Sequence, residues 1–362
     1  MMPRFFAAAL VALPALAAAA DVDRMMERGQ WKAARAAVEA LAMSFGRTVE
    51  GGPLRARALF LQSRVSLAFR RTDDALKQAE RAAALEPKNG AYRYQVAEVC
   101  GYTAQRAGKL KAFSFARRFR KEAEAALALD STMIDARWAL MEFYSIAPGI
   151  VGGNDKKAKV MADEIRRLDA ARGHLAHAQL AMRAKDEAKA FGLYQRAAEA
   201  DPRNYSAQVS LARFYSFDSQ KRWDLVEKHA RMARELDPGR SGAYSLLAGL
   251  YAHQERWSEL DAALTEAERQ VPGNFTPHYQ AARILLEDGR ELPRAERYLR
   301  RYLVAEPEGG ATPSHAQARW RLAHVLEKQG RKTEAMTELE ASLELDPDLD
   351  EAKKDLKRLR RG

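Results

Sequence analysis

From about residue 173 onward, apolar and polar positions recur with the spacing of amphipathic helices, and prolines punctuate them at near-regular intervals. Pro202, Pro238, Pro272, Pro307 and Pro347 stand 36, 34, 35 and 40 residues apart. Each follows a helical stretch, as in Ala200-Asp201-Pro202, Leu236-Asp237-Pro238 and Leu345-Asp346-Pro347. Proline has no amide donor and clashes with the preceding turn, so each one closes a helix. Between Pro238 and Pro272 the pattern is clearest. Tyr244, Leu247, Ala248 and Tyr251 share one face of a first helix, Trp257 falls in the turn, and Leu260, Leu264 and Ala267 line a second helix. A small residue at 248 lets two helices approach closely. A lone helix pair leaves one apolar face bare, so only a neighbouring pair can cover it.

This spacing resembles the tetratricopeptide repeat: a bulky residue, Leu, a small residue and Tyr, then three packing positions and Pro. Ala190, Tyr194, Ala197 and Pro202 repeat the second half of the unit, as do Ala335, Leu339 and Pro347 after Leu322, Ala323 and Leu326. Upstream, Ala75, Ala79, Ala82 and Pro87 keep the spacing, and Gly29, Trp31 and Ala34 resemble the turn and second helix of a degenerate first unit. About eight or nine helix pairs follow from this pattern. The resemblance implies an all-α, right-handed superhelical solenoid of antiparallel helix pairs, with each first helix on the concave side. The boundaries expected are a signal peptide over 1–20, degenerate repeats over 21–170, regular repeats over 171–347 and a capping helix over 348–362. Two features interrupt the first array. The pair from Asn89 to Asp130 is about ten residues too long for a standard unit, and the glycine-rich loop from Ala147 to Asn154 splits the next pair.

Composition changes the picture at the N-terminus. Phe5 to Ala17 is unbroken apolar sequence after Arg4, and Ala18-Ala19-Ala20 supplies a small-residue cleavage site before Asp21. That stretch is shorter than the ~20 residues a spanning helix needs. An exported protein is therefore expected, periplasmic or secreted, without stable membrane insertion once the leader is removed. A single cysteine, Cys100, rules out an internal disulfide and reads as a buried thiol. The formal charge is +11, or +10 without Arg4, which favours anionic partners without naming one. Nucleic acid is not expected for an exported chain.

Candidate chemistry is sparse. Gly149 to Lys157 lacks the glycine and lysine of a phosphate loop where Asn154 and Asp155 stand, and reads as a turn with Asn154 as N-cap. His174 and His177 could ligate a metal with Asp169, yet they occupy packing positions. Arg106 to Lys121 has seven basic residues, no acid and three phenylalanines. Phe115, Phe119, Ala123 and Ala126 there keep core spacing and leave the cations on a solvated face. Neither metal nor cofactor is expected.

The resemblance points instead to a groove. In such repeats the residue after the bulky position faces the concave side, which selects Tyr94, Trp138, Leu175, Val209, Ser245, Tyr279 and Trp320, with Trp138, Tyr279 and Trp320 expected to be partly exposed. One turn further come Glu98, Glu142, Arg213, Arg283 and His324. Aromatics beside charges suit recognition. The expectation is a non-enzymatic scaffold for a protein or peptide partner in the cell envelope. The alternatives are a binder of a small solute or cell-wall fragment and, further off, a metal-dependent hydrolase.

Overall fold

A computed structural model describes residues 19–45, 52–217, 220–310 and 312–361. The apolar leader, Phe5 to Ala17, lies outside them. The chain is all-α, and no strand occurs among the described residues. After α1 (19–27) come α2 (Trp31–Phe45), α3 (Pro53–Ala68), α4 (Thr72–Leu85), α5 (Gly90–Arg106), α6 (Lys109–Leu129) and α7 (Ile134–Ile146). Next are α8 (Asp155–Leu168), α9 (Ala170–Arg183) and α10 (Glu187–Ala200). A second set follows: α11 (Tyr205–Tyr215), α12 (Trp223–Leu236), α13 (Ser241–His253), α14 (Trp257–Gln270), α15 (Thr276–Asp288), α16 (Leu292–Val304), α17 (His315–Lys328), α18 (Lys332–Leu345) and α19 (Asp350–Arg361). Residues 1–202 and 203–362 form two compact units. Each unit is an array of antiparallel pairs: odd-numbered helices come first in their pair, and even-numbered helices pack back on them.

Local chemistry explains where helices begin and end. The Asn89 side chain accepts from the Ala91 and Tyr92 amides, Asn204 from Ala207, and Asp186 from Lys189, so each oxygen accepts from an otherwise orphaned first-turn amide. Ser314 and Gln317 form a reciprocal capping box on α17. At the other ends Asp201, Asp237 and Asp346 leave helical geometry just before a proline.

Second helices are built on alanine. Ala75, Ala79 and Ala82 of α4 are fully buried, and so are Ala230 and Ala233 of α12. Methyl-sized side chains allow close helix contact, while the bulk is supplied by the first helices: Tyr244, Leu247, Ala248 and Tyr251 of α13 are all buried. Trp257 is the first residue of α14 rather than a turn residue, and the Arg294 guanidinium lies 4.8 Å from its ring centre.

First helices also touch one another, α3 with α5, α7 with α9, α11 with α13, and α13 with α15. This stacks them into one layer per unit, the layer that the repeat resemblance puts on the concave side and that is called inner below. The pairs that depart from the repeat length do so visibly. α5 and α6 have 17 and 21 residues. The 40-residue spacing after Pro307 is taken up by an extended connection between α16 and α17, pinned where the Tyr302 hydroxyl donates to the Pro313 carbonyl at 2.5 Å. In the glycine-rich loop, Gly149–Val151 is a 3-10 turn and Asn154 caps α8 through the Lys157 amide at 3.0 Å. α19 buries Ala352, Leu356 and Leu359 and packs on α18, which covers the last pair.

Candidate binding surfaces on the inner helices

In the first unit, α5, α7 and α9 bring Tyr94, Glu98, Trp138 and Glu142 into one neighbourhood. Tyr94 is buried, not displayed: its hydroxyl donates to the Asp135 carbonyl at 3.1 Å, and burial together with Glu98, Asp135 and Glu142 raises its pKa. That corrects the expectation of an open aromatic, because the first turn of α7 closes over this ring. Trp138 is partly buried against the core that contains Leu140, Met141 and Tyr144. Glu142 accepts a hydrogen bond from the Gln179 side chain at 2.5 Å. Asp135 pairs with Arg172.

The electrostatics here are acidic. Desolvation pushes the Glu98 carboxyl up to about 7, with Arg64 opposing and Asp135 adding to the shift. The physical cause is a carboxyl withdrawn from water close to other carboxylates, with its one basic neighbour engaged by Asp23. A consequence follows by linkage. The unfolded chain releases this proton near the ordinary value of 4.5, whereas the folded chain holds it to about 7. Stability from this group is therefore full below pH 4.5 and declines as pH rises to 7. Relative to the parent, Glu98→Gln is expected to gain stability as pH rises from 4.5 to 8, by up to about 3 kcal/mol. Urea unfolding at the two pH values checks this, and an unchanged difference between them would contradict it.

In the second unit, α15, α17 and α19 assemble a different surface. Tyr279 is buried: it tilts against Tyr302 at 5.3 Å and its hydroxyl accepts from Arg321 at 2.7 Å. The expectation that it is partly exposed is corrected, because α16 and α17 both supply partners for the ring. Trp320 is partly exposed, and its indole N–H donates to Asp355 of α19 at 2.9 Å. His324 shares that carboxylate at 2.7 Å. Arg283 pairs with Glu287 at 2.6 Å. Arg213 is exposed on α11, and α13 stands between it and α15.

Asp135, Arg172, Gln179, Arg321 and Asp355 were not singled out from sequence. Gln179 could have been, since it lies one turn beyond Leu175, which has the same register as Trp138. Asp135 and Arg172 likewise stand three residues before Trp138 and Leu175.

The histidines do not converge. His177 contacts Asp163 at 3.0 Å, whereas Asp169, the expected third ligand, caps α9 through the Arg172 amide at 2.9 Å. Among the described residues no three His, Cys, Asp or Glu side chains are grouped to hold a metal. Cys100 is buried and its thiol is pushed up to about 11 by desolvation, so it stays protonated. No helix among the described residues is long and apolar enough to cross a membrane.

Stacked helix pairs of this kind define a helical-repeat solenoid. The tetratricopeptide repeat model matches residues 22–94 and 279–350. No curated protein matches the sequence. Among solved structures, yeast Tom70 is 14% identical, with 96% of this chain and 88% of that one covered and a TM-score of 0.53. IFIT1 bound to m7Gppp-AAAA is 12% identical, with 94% and 79% covered and a TM-score of 0.52. At such identities these likenesses speak to the fold alone.

Proposed function

We propose that this protein is a non-enzymatic scaffold of the cell envelope that holds a protein or peptide partner on its inner helices. Tetratricopeptide repeats generally act as scaffolds for protein contacts. The observation that carries the reading further is the inner face of the first unit. There Glu98, Asp135 and Glu142 lie around the Tyr94 hydroxyl on the face that also carries Trp138, with Arg172 paired to Asp135. Despite the chain's positive charge, this face suits a basic segment with an apolar anchor rather than an acidic one. An aromatic rim gives contact area at low entropic cost, and the carboxylates give orientation and salt-sensitive steering. The leader sequence supports an envelope location, which N-terminal sequencing of exported protein tests. A mature chain still carrying Phe5 would refute it.

The binding reading is tested with Glu142→Gln and Trp138→Ala against partners captured from native envelopes. Each variant is expected to weaken capture at least fivefold, about 1 kcal/mol or more, and high salt should reproduce the effect of Glu142→Gln. Retention of every partner by both variants would rule out this face.

A further inference from the structure

One end of the first unit has a feature that the inner face does not use. α5 and α6 exceed α7 and α8 by four and seven residues. At ~1.5 Å per residue the hairpin extends about 6–10 Å further than its neighbour. The added length is solvated: in residues 105–114 all but Ala107 and Ala112 are exposed. Against the rule for an exposed tip, it carries apolar side chains. Leu110 is 87% exposed and Phe113 40%. The α7–α8 loop reaches the same end of the unit, tied to α6 where Arg120 donates to the Val151 carbonyl at 3.3 Å, and it exposes Ile150 at 74%.

Cations ring these side chains. Lys109, Lys111, Arg117 and Lys121 are exposed and enter no ion pair among the described residues, and no acid occurs from Arg106 to Lys121. Antiparallel pairing places every turn from a first to a second helix at this end. The opposite end gathers the acids that close the second helices: Glu86, Asp130, Asp169 and Asp201. Asp73, Asp74, Asp155 and Glu187 open second helices at the turn end as well, so what sets this tip apart is the acid-free run from Arg106 to Lys121 beside exposed apolar side chains.

We propose that this end docks on an anionic phospholipid bilayer, with Leu110, Phe113 and Ile150 entering the interfacial region and the lysines and Arg117 meeting lipid phosphates. Two signals acting together are what reversible surface binding requires: apolar insertion and attraction to negative headgroups. A soluble polyanion would use the cations and gain nothing from Leu110 or Phe113. The proposal does not depend on the inner-face reading, since none of its residues lies there.

The full chain is tested by sedimentation with vesicles of phosphatidylcholine alone and of equimolar phosphatidylcholine and phosphatidylglycerol. The readout is the ratio of binding to the two. Wild type is expected to favour the anionic vesicles, and Trp138→Ala to keep that preference. Leu110→Ser/Phe113→Ser and Lys109→Gln/Lys111→Gln/Arg117→Gln should each lower anionic-vesicle binding about tenfold. Melting should be unchanged in the glutamine variant, and Leu110→Ser alone, at an 87% exposed position, should lower binding with unchanged melting even where the double serine variant melts lower. No preference for anionic vesicles overturns the proposal. So does full vesicle binding by the serine variant, which would make the end a simple polyanion surface. Full binding by the glutamine variant would likewise place the contact elsewhere.

Discussion

Tyr244→Ala is expected to cost about 3–5 kcal/mol of stability, the largest effect of any single truncation considered for the second unit. Tyr244 is fully buried and clusters with Ala267 and Val271 of the paired helix and its end. Its loss opens a cavity against Ala267 and Val271, whose short side chains cannot extend to fill it. The same residue offers an internal control. Its hydroxyl is buried with no hydrogen-bond partner among the described residues, and desolvation raises its pKa to about 12. Removing an unsatisfied hydroxyl costs little, so Tyr244→Phe should be neutral or slightly stabilising. Chemical denaturation of both variants separates ring packing from the polar group. Equal losses in the two would mean that the hydroxyl is bonded and that the packing account of this position is wrong.

Gly173→Ala should be nearly as severe, about 3 kcal/mol, although it adds a single methyl. A Cβ at 173 would lie 2.2 Å from the Arg166 Cα and 2.6 Å from its amide nitrogen. These are backbone atoms of α8, so no side-chain rotation relieves the clash and α8 and α9 must separate. Separation also disturbs the Asp169 cap and the His177–Asp163 contact beside it. Gly192 provides the comparison, because a Cβ there meets nothing within 4 Å. Gly192→Ala on α10 should instead stabilise by about 0.5–1 kcal/mol through the helix preference of alanine. If thermal unfolding shows Gly173→Ala and Gly192→Ala to be alike, the tight crossing of α8 and α9 does not exist.

These cases show which parts of the molecule could be read from the chain. The helix pairs were legible because proline and the trio Tyr244, Leu247 and Ala248 act locally: each restricts its own helix or the one it is paired with. Register along a helix was legible too, and it brought Glu98, Trp138 and Glu142 to one face. Exposure was not. Whether the ring after the bulky position is open depends on what the next pairs place over it. For Tyr94 that is the start of α7, and for Tyr279 it is Arg321, 42 residues later. Trp320 stayed partly open, yet Asp355 of the last helix holds its N–H, a bond spanning 35 residues. Such contacts depend on the stacking of successive pairs, which a single repeat does not encode. The acidity of the first inner face was hidden for the same reason, because Asp135 and Arg172 meet only across two helices and net charge averages over both ends of the unit.

The account rests on the inner layer of first helices being the surface that holds a partner. Site-specific photo-crosslinking in native envelopes addresses this directly, with the crosslinker placed at Glu142 and Arg283 on the inner helices and at the exposed Glu199 and Glu235 on second helices. The account predicts discrete polypeptide adducts from 142, from 283 or from both, competed by unlabelled protein, and none from 199 or 235. Adducts confined to 199 or 235, or no adduct from any inner position, would contradict it.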